Sequence, residues 1–253
     1  MKYWWAGLLV FLLFVSLNGI IFALRKKPKL SYAIAWSIAA FLLLYKIGEY
    51  VYWQAVGQHM KFPVEFSALS YFILGITVTF RLKKAEQFGA FVGVLAGLMY
   101  SVSFWVSPGS LIGDIDTPFL FAMAIFNHHA LYFASMLLLA NVHKFNYKDC
   151  WIQLAGVGAM VGYSWLIYLF TPYAKIYGKP IIIQICDGSI LNWLGGLKLT
   201  GWQIALYITV ALLLLSGILF GFYSLNNLCA KKRAANNIEI DYNPKKWIDI
   251  FHI

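Results

Sequence analysis

The stretch FLFAMAIFNHHALYFASMLLLA, residues 119–140, decides the fold class. A helix needs about 20 apolar residues to cross the hydrocarbon core of a bilayer, and this stretch is that long. Its centre nevertheless carries Asn127, His128 and His129. Such groups are costly in hydrocarbon unless they face protein, a partner or water. The segment therefore reads as a membrane-spanning helix that also carries chemistry.

The whole chain agrees with that reading. Of its 253 residues, 61% are hydrophobic and only 12% are charged, with a mean hydropathy of +0.71. A soluble domain carries about twice that share of charge, so this chain lacks the polar surface to cover a water-soluble body. The net charge of +10 falls in short basic clusters between apolar runs, which is the pattern of membrane loops and not of a nucleic-acid groove. No nucleic-acid partner is expected. Cys150, Cys186 and Cys229 have neither metal-ligand spacing nor an even count, so no metal site and no disulfide framework is implied. No Gly-rich phosphate loop, HExxH or GxSxG motif occurs, and no cofactor is expected. The last apolar run, QIALYITVALLLLSGILFGFYSL, has no lysine for a retinal Schiff base.

Seven stretches qualify as spans, at roughly 3–24, 31–54, 63–80, 88–107, 119–141, 151–171 and 203–225. The fold class is thus all-α, a bundle of seven transmembrane helices over residues 1–225 with a tail over 226–253. The third stretch begins at Pro63, expected in the first helical turn, where proline's missing N–H costs nothing. Basic clusters follow the odd spans: Arg25, Lys26, Lys27 and Lys29, then Arg81, Lys83 and Lys84, then Lys144 and Lys148, then Lys231, Lys232 and Arg233. The alternate loops are poorer in positive charge, and one carries Asp114 and Asp116. The positive-inside rule then places the N-terminus outside and the C-terminus in the cytoplasm. The first span has its basic cluster after the apolar core and no A-x-A site, so it is expected to remain as a helix. The tail, with Trp247, Ile248, Ile250 and Phe251, is expected to be a cytoplasmic extension whose end can lie on the membrane surface.

Under this orientation the ionisable residues within spans gather in the outer leaflet. Lys46 and Glu49 fall in the outer half of span two, Glu65 near the outer start of span three, and His128 and His129 just outside the centre of span five. The long loop 172–202 lies on the same side. The convergence suggests a polar cavity opening outward. Each residue also has a plainer reading. Lys46 and Glu49, spaced i, i+3, can satisfy each other or snorkel beside Tyr50, Tyr52 and Trp53. Glu65 is close enough to the interface to be solvated, and one imidazole can simply bond a backbone carbonyl. Successive helical positions diverge by about 100°, so both histidines can face protein only if span five is central.

Three short motifs resemble the YwaF-like family of bacterial seven-span membrane proteins: FPVEFSAL at the start of span three, HHALYF in span five, and TPYAKIYGKP after span six. That family is more distantly similar to membrane-embedded acyltransferases and hydrolases of the androgen-induced type, which use a nucleophilic Cys or Thr and an intramembrane His on lipid acyl groups. The resemblance implies His129 as the matching histidine and places Ser67 at the Cys position. Glu65 stands where the family has His, and Pro172 where it has Asn. Thr171, Tyr173 and Pro180 match. As a catalytic set, His129 would be the base, Ser67 the nucleophile and Glu65 the orienting group. Glu65 and Ser67, spaced i, i+2, diverge by about 200° on a regular helix and share a site only if the turn after Pro63 is irregular. Ser67 is otherwise a small residue that eases helix packing.

The expected protein is thus a multi-pass plasma-membrane protein that acts on lipid acyl groups. Catalysis falls to His129, Ser67 and Glu65, and substrate contacts to His128, Asn127, Lys46, Glu49 and Tyr173. Membrane lipids are the expected partners, with a lipid or small molecule as substrate. A small-solute carrier using His129 and Glu65 as protonatable groups, or a non-catalytic envelope protein, are the alternatives. YGKPIIIQICDGSILNWLGG is too apolar for a free loop in water and is expected to fold back as a lid or a partly re-entrant segment.

Overall fold

The computed structural model describes residues 4–106, 118–239, 241–244 and 248–251. The acidic GDID turn and Trp247 lie outside these residues. The described residues form helices and no strand: α1 (Trp4–Ala23), α2 (Pro28–Ala55), α3 (Phe66–Thr79), α4 (Lys83–Val106), α5 (Pro118–Leu137), α6 (Trp151–Phe170), α7 (Tyr173–Tyr177), α8 (Ile181–Asp187), α9 (Ile190–Gly195) and α10 (Trp202–Ala235). Six of the helical segments are long and apolar enough to cross a membrane. The protein is a multi-pass, all-α membrane protein by length and composition of its helices. Each of the seven apolar stretches coincides with a helix, but the third is shorter than its apolar run.

Its shortness has a local cause. Pro63 lies in the non-helical stretch before α3 and not in its first turn as the sequence suggested. Proline disfavours the helical region for the residue before it, and this segment's polar groups find tertiary partners instead. The Val64 carbonyl accepts the Ser164 hydroxyl at 2.8 Å. The Glu65 carboxylate accepts the Ile181 N–H at 3.1 Å. The first helical bond runs only from Leu69 N–H to Glu65 C=O. The remaining 14 residues of α3 cover about 21 Å, short of the roughly 30 Å of a hydrocarbon core.

The other boundaries follow ordinary helix chemistry. α2 starts on Pro28, where the absent N–H is no loss. It closes on Gly57, whose φ of +84° suits the left-handed cap, with Gln58 N–H returning to Trp53 C=O. α10 does not stop where the apolar run does but continues to Ala235, with Lys232 and Arg233 in its last turn, where cations favour the helix C-terminus.

The chain divides into two compact units. The first comprises Met1–Tyr45, Ser70–Phe145 and Leu225–Ile253. There the start of α1 packs on the end of α4 and the start of α5 through Ala6, Val10, Phe104 and Ile125. At the other end, Asn141, just beyond α5, donates to the Ile21 carbonyl of α1 at 2.9 Å. Hence α1 and α5 run side by side in one direction and α4 in the other. α4 and α5 approach closely on a glycine stripe. A Cβ on Gly93 would sit 2.0 Å from Ser135 Oγ, and one on Gly97 2.5 Å from Tyr132 Cβ. Small residues at such spacing let two backbones meet and exchange van der Waals contact along their length.

The second unit comprises Lys46–Leu69 and Asn146–Ser224. It contains α6 and the segment after it, which the sequence suggested would not hang free. That segment forms the short helices α7–α9, with Lys179 paired to Asp187 at 2.5 Å and the Tyr207 hydroxyl on the Ile185 carbonyl at 2.6 Å. The Lys179 ammonium also offsets what burial would do to Asp187. Burial pushes that carboxyl up, yet the Lys179 and Ser189 hydrogen bonds hold it below the usual range.

Candidate functional site

In the first unit α5 carries the polar residues that opened the sequence reading. His129 is buried at 4% exposure. Its Nδ1 lies 2.8 Å from the Ile125 carbonyl, so that nitrogen carries the hydrogen and donates back along the helix. Nε2 is then the acceptor, 3.4 Å from Ser101 Oγ of α4. The Ser101 hydroxyl itself reaches the Gly97 carbonyl at 2.9 Å. Its one hydrogen cannot serve both acceptors, which leaves Nε2 weakly held. His128 points elsewhere around α5 and is half-buried. Its ring stacks on Tyr100 at 3.8 Å between centroids and 8° between planes, with Tyr71 edge-on at 5.6 Å. Asn127 is buried, and among the described residues its Oδ1 has no protein partner. The same holds for Ser135 Oγ on α5 and for Tyr100 Oη and Gln87 Nε2 on α4.

Further along α5 lies a cluster that the sequence reading missed. After Leu137 the helix widens into one π turn, Leu138–Val142, closed by His143 N–H on the Leu138 carbonyl at 2.9 Å. The widening and the end of the helix together leave carbonyls with no bond inside the helix. Two side chains of α10 take them up. Asn226 donates to the carbonyls of Leu139 at 2.7 Å and His143 at 2.9 Å, and Arg233 to those of Ala140 at 2.6 Å and His143 at 2.8 Å. Both side chains are buried, so the end of α10 is locked onto the end of α5.

That lock aims the His143 ring at two carboxylates. Nε2 lies 2.7 Å from Glu86 Oε2 of α4, and Nδ1 lies 3.2 Å from Asp241 Oδ1. Both ring nitrogens face acceptors, so both carry hydrogen and the ring is an imidazolium. Burial alone would push its pKa down, but the hydrogen bonds to Asp241 and Glu86, with their charges, outweigh it and hold it above the usual histidine range. The Tyr32 hydroxyl of α2 donates to the other Glu86 oxygen at 3.2 Å, and Lys83 pairs with the other Asp241 oxygen at 3.2 Å. The His143 hydrogen bond holds Asp241 below the usual carboxylate range against the opposing effect of burial, with Lys83 assisting. Four separated segments thus meet in one bonded network. The sequence reading placed Lys83 in a basic cluster and Asp241 within the tail, and it singled out neither Glu86 nor His143. One signal pointed to Glu86: it precedes Gly89, Gly93 and Gly97 at helical spacing, which puts it on the close-packed face of α4.

The remaining sequence candidates belong to the second unit. Lys46 and Glu49 form the i, i+3 pair at 2.5 Å. Glu65 serves the backbone N–H that begins α8. It precedes α3 instead of lying on it, whereas Ser67 is in the first turn and half-buried. Tyr173 is buried, its N–H on the Thr171 hydroxyl at 3.2 Å and its ring 5.0 Å from Tyr177. His129 has its partners in the first unit, and Ser67 and Glu65 lie in the second. Among the described residues no group of His, Cys, Asp and Glu could hold a metal ion. Compared with protein families, with curated proteins and with solved structures, the chain matches none.

Proposed function

We propose that this multi-pass membrane protein is a proton-coupled carrier of a small solute. The observation that carries the reading is the polar line on α5. His128 and His129 sit at mid-helix and the imidazolium of His143 at its end, about 20 Å along the axis. Tyr132, Ser135 and Asn141 lie between them, all buried. Ser101, Gln87 and Glu86 of α4 are also buried polar residues. Ionisable groups within membrane helices are expensive and mark ion or substrate paths. The polar atoms of Asn127, Ser135, Tyr100 and Gln87 that lack a protein partner among the described residues fit the wall of such a path, since burial without a partner costs a few kcal/mol each. The basic loops then face the cytoplasm of a bacterial plasma membrane, and His129 exchanges protons with the outer side.

Catalysis on lipid acyl groups, which the YwaF-like resemblance implies, is the second reading. It asks His129, Ser67 and Glu65 to act as one relay. The engagement of Glu65 with the start of α8 and of His129 with Ser101 and Ile125 favours the carrier. The two readings separate in one preparation. Proteoliposomes on a solid-supported membrane, challenged in turn with amino acids, sugars, nucleosides, carboxylates and organic cations, should give a solute-induced current for one class. A fluorescent acyl phospholipid in the same vesicles should stay intact. Cleavage of that lipid with no current from any solute would overturn the carrier and favour the enzyme.

A further inference from the structure

A second polar feature of the first unit adjoins the far end of the α5 line and shares Asn141 with it. A cavity of about 390 Å³ lies where the ends of α1, α5 and α10 meet. Among the described residues its wall carries four cationic side chains, Arg25 and Lys26 after α1 and Lys232 and Arg233 from the last turn of α10, and no carboxylate. Glu239 follows the lining residue Ile238 in sequence but does not contribute to the wall. The cations divide by role. Arg233 is buried and bonded to the carbonyls at the end of α5. Arg25 donates to the Phe22 carbonyl at 2.9 Å and lies over the Phe22 ring at 3.8 Å. Lys26 and Lys232 are exposed at the mouth, and among the described residues neither ammonium has an ion-pair or hydrogen-bond partner.

The positive-inside pattern accounts for basic residues near helix ends, but it scatters them over loops. It does not account for four of them around one concavity that also has an apolar rim. Phe22 of α1 supplies that rim and is 63% exposed, on a helix that also exposes Leu8, Leu9, Leu12 and Ile20, while Ile21 lines the cavity from its buried side. A cluster of fixed positive charge beside hydrocarbon-facing surface suits a phosphate on one side and an acyl chain on the other.

We propose that this cavity binds a phosphate-bearing anion, the phosphate of an anionic phospholipid headgroup or a free phosphate. Lys26 and Lys232 make the charge contacts at the mouth, and Arg25 and Arg233 set the positive field of the wall. The carrier reading is not needed for this site, which shares no residue with the His129 surroundings.

The test uses the full-length protein, delipidated in detergent and examined by native mass spectrometry. Phosphatidylglycerol is titrated against phosphatidylcholine, and inorganic phosphate and glycerol 3-phosphate are titrated separately by calorimetry. The variants are Lys26→Gln with Lys232→Gln and, as a control of equal charge, Lys29→Gln with Lys231→Gln, which removes neighbouring basic residues that do not line the cavity. All four side chains are exposed, and an unchanged melting temperature confirms the fold. Each cation near an anionic surface is worth about fivefold, so the cavity pair should lose about thirtyfold of phosphatidylglycerol affinity. The control pair should lose less than about threefold by the same reasoning, since its charges act only at a distance. Binding of phosphatidylglycerol alone identifies a headgroup site. Binding of inorganic phosphate or glycerol 3-phosphate, lost in the same pair, identifies a soluble ligand. Equal losses in the two pairs, or no preference for either anion over phosphatidylcholine, would overturn the site.

Discussion

Glu86→Ala should destabilise the protein by an amount that depends on pH. The substitution removes the oxygen 2.7 Å from His143 Nε2 and the one that accepts the Tyr32 hydroxyl at 3.2 Å. The imidazolium then keeps only Asp241, at 3.2 Å, whose side chain is 38% exposed against 2% for Glu86. Truncating one partner of a buried ion pair costs about 3–5 kcal/mol, because the other charge stays buried. His143 titrates above its usual value in the folded protein. Its contribution is therefore complete below the unfolded pKa of about 6.5 and is lost as pH rises through the folded pKa. The penalty should be about 3–5 kcal/mol near pH 6 and shrink towards the 1–3 kcal/mol of a lost hydrogen-bond partner once the ring is neutral. Reversible unfolding in mixed dodecyl maltoside and SDS micelles, at about pH 6 and about pH 9, on either side of the histidine range, measures both values. A penalty below about 1 kcal/mol near pH 6, or one that grows with pH, would refute the buried imidazolium.

Other perturbations read other parts of the structure. Gly97→Ala places a Cβ 2.5 Å from Tyr132 Cβ and 2.9 Å from the His128 carbonyl. It should cost about 1–3 kcal/mol by overpacking, whereas Gly19→Ala, with nothing within 4 Å of its Cβ, should cost nothing in the same unfolding assay. Glu65→Ala removes the acceptor of the Ile181 N–H. Loss of a cap is worth about 1 kcal/mol, so proteolysis between Pro180 and Trp193 should quicken about fivefold, while Glu65→Gln, which keeps an acceptor, should stay resistant. Reporter fusions after Lys29, Lys84, Lys148 and Arg233 should report cytoplasm, and fusions at Gly57, Gly113 and Gly188 the outside. A cytoplasmic signal at Gly188 would reverse the proposed orientation.

Helix positions were legible because apolar length is a one-dimensional property. Each run that is long enough for a bilayer became a helix, and the basic clusters fall between the runs, in connections and in helix ends. The ends of α3 and α10 were not legible, for different reasons. After Pro63 the Val64 carbonyl accepts the Ser164 hydroxyl and the Glu65 carboxylate accepts the Ile181 N–H, from partners about 100 residues away in sequence. α10 runs past its apolar stretch because Asn226 and Arg233, polar in sequence, bond the carbonyls left open by the π turn and the end of α5. The Glu86–His143–Asp241 network shows the same limit. Glu86 and His143 sit at the ends of apolar runs and Asp241 in the tail, where a charge is ordinarily solvated, and only packing distinguishes a buried pair from a snorkelling side chain. The burial of His129 was legible because it lies in mid-span, where no solvated alternative exists.

The central claim, that the α5 histidines carry protons with a solute, is tested most directly by proton uptake in pyranine-loaded proteoliposomes. Solute added outside the vesicles, at a step that drives current in the wild type, should acidify the lumen, because proton and solute enter together. In His129→Ala, at equal insertion, both current and acidification should vanish, because an apolar side chain at that depth eases insertion while removing the proton acceptor. Solute current with no lumen acidification in the wild type, or undiminished acidification in His129→Ala, would contradict the account.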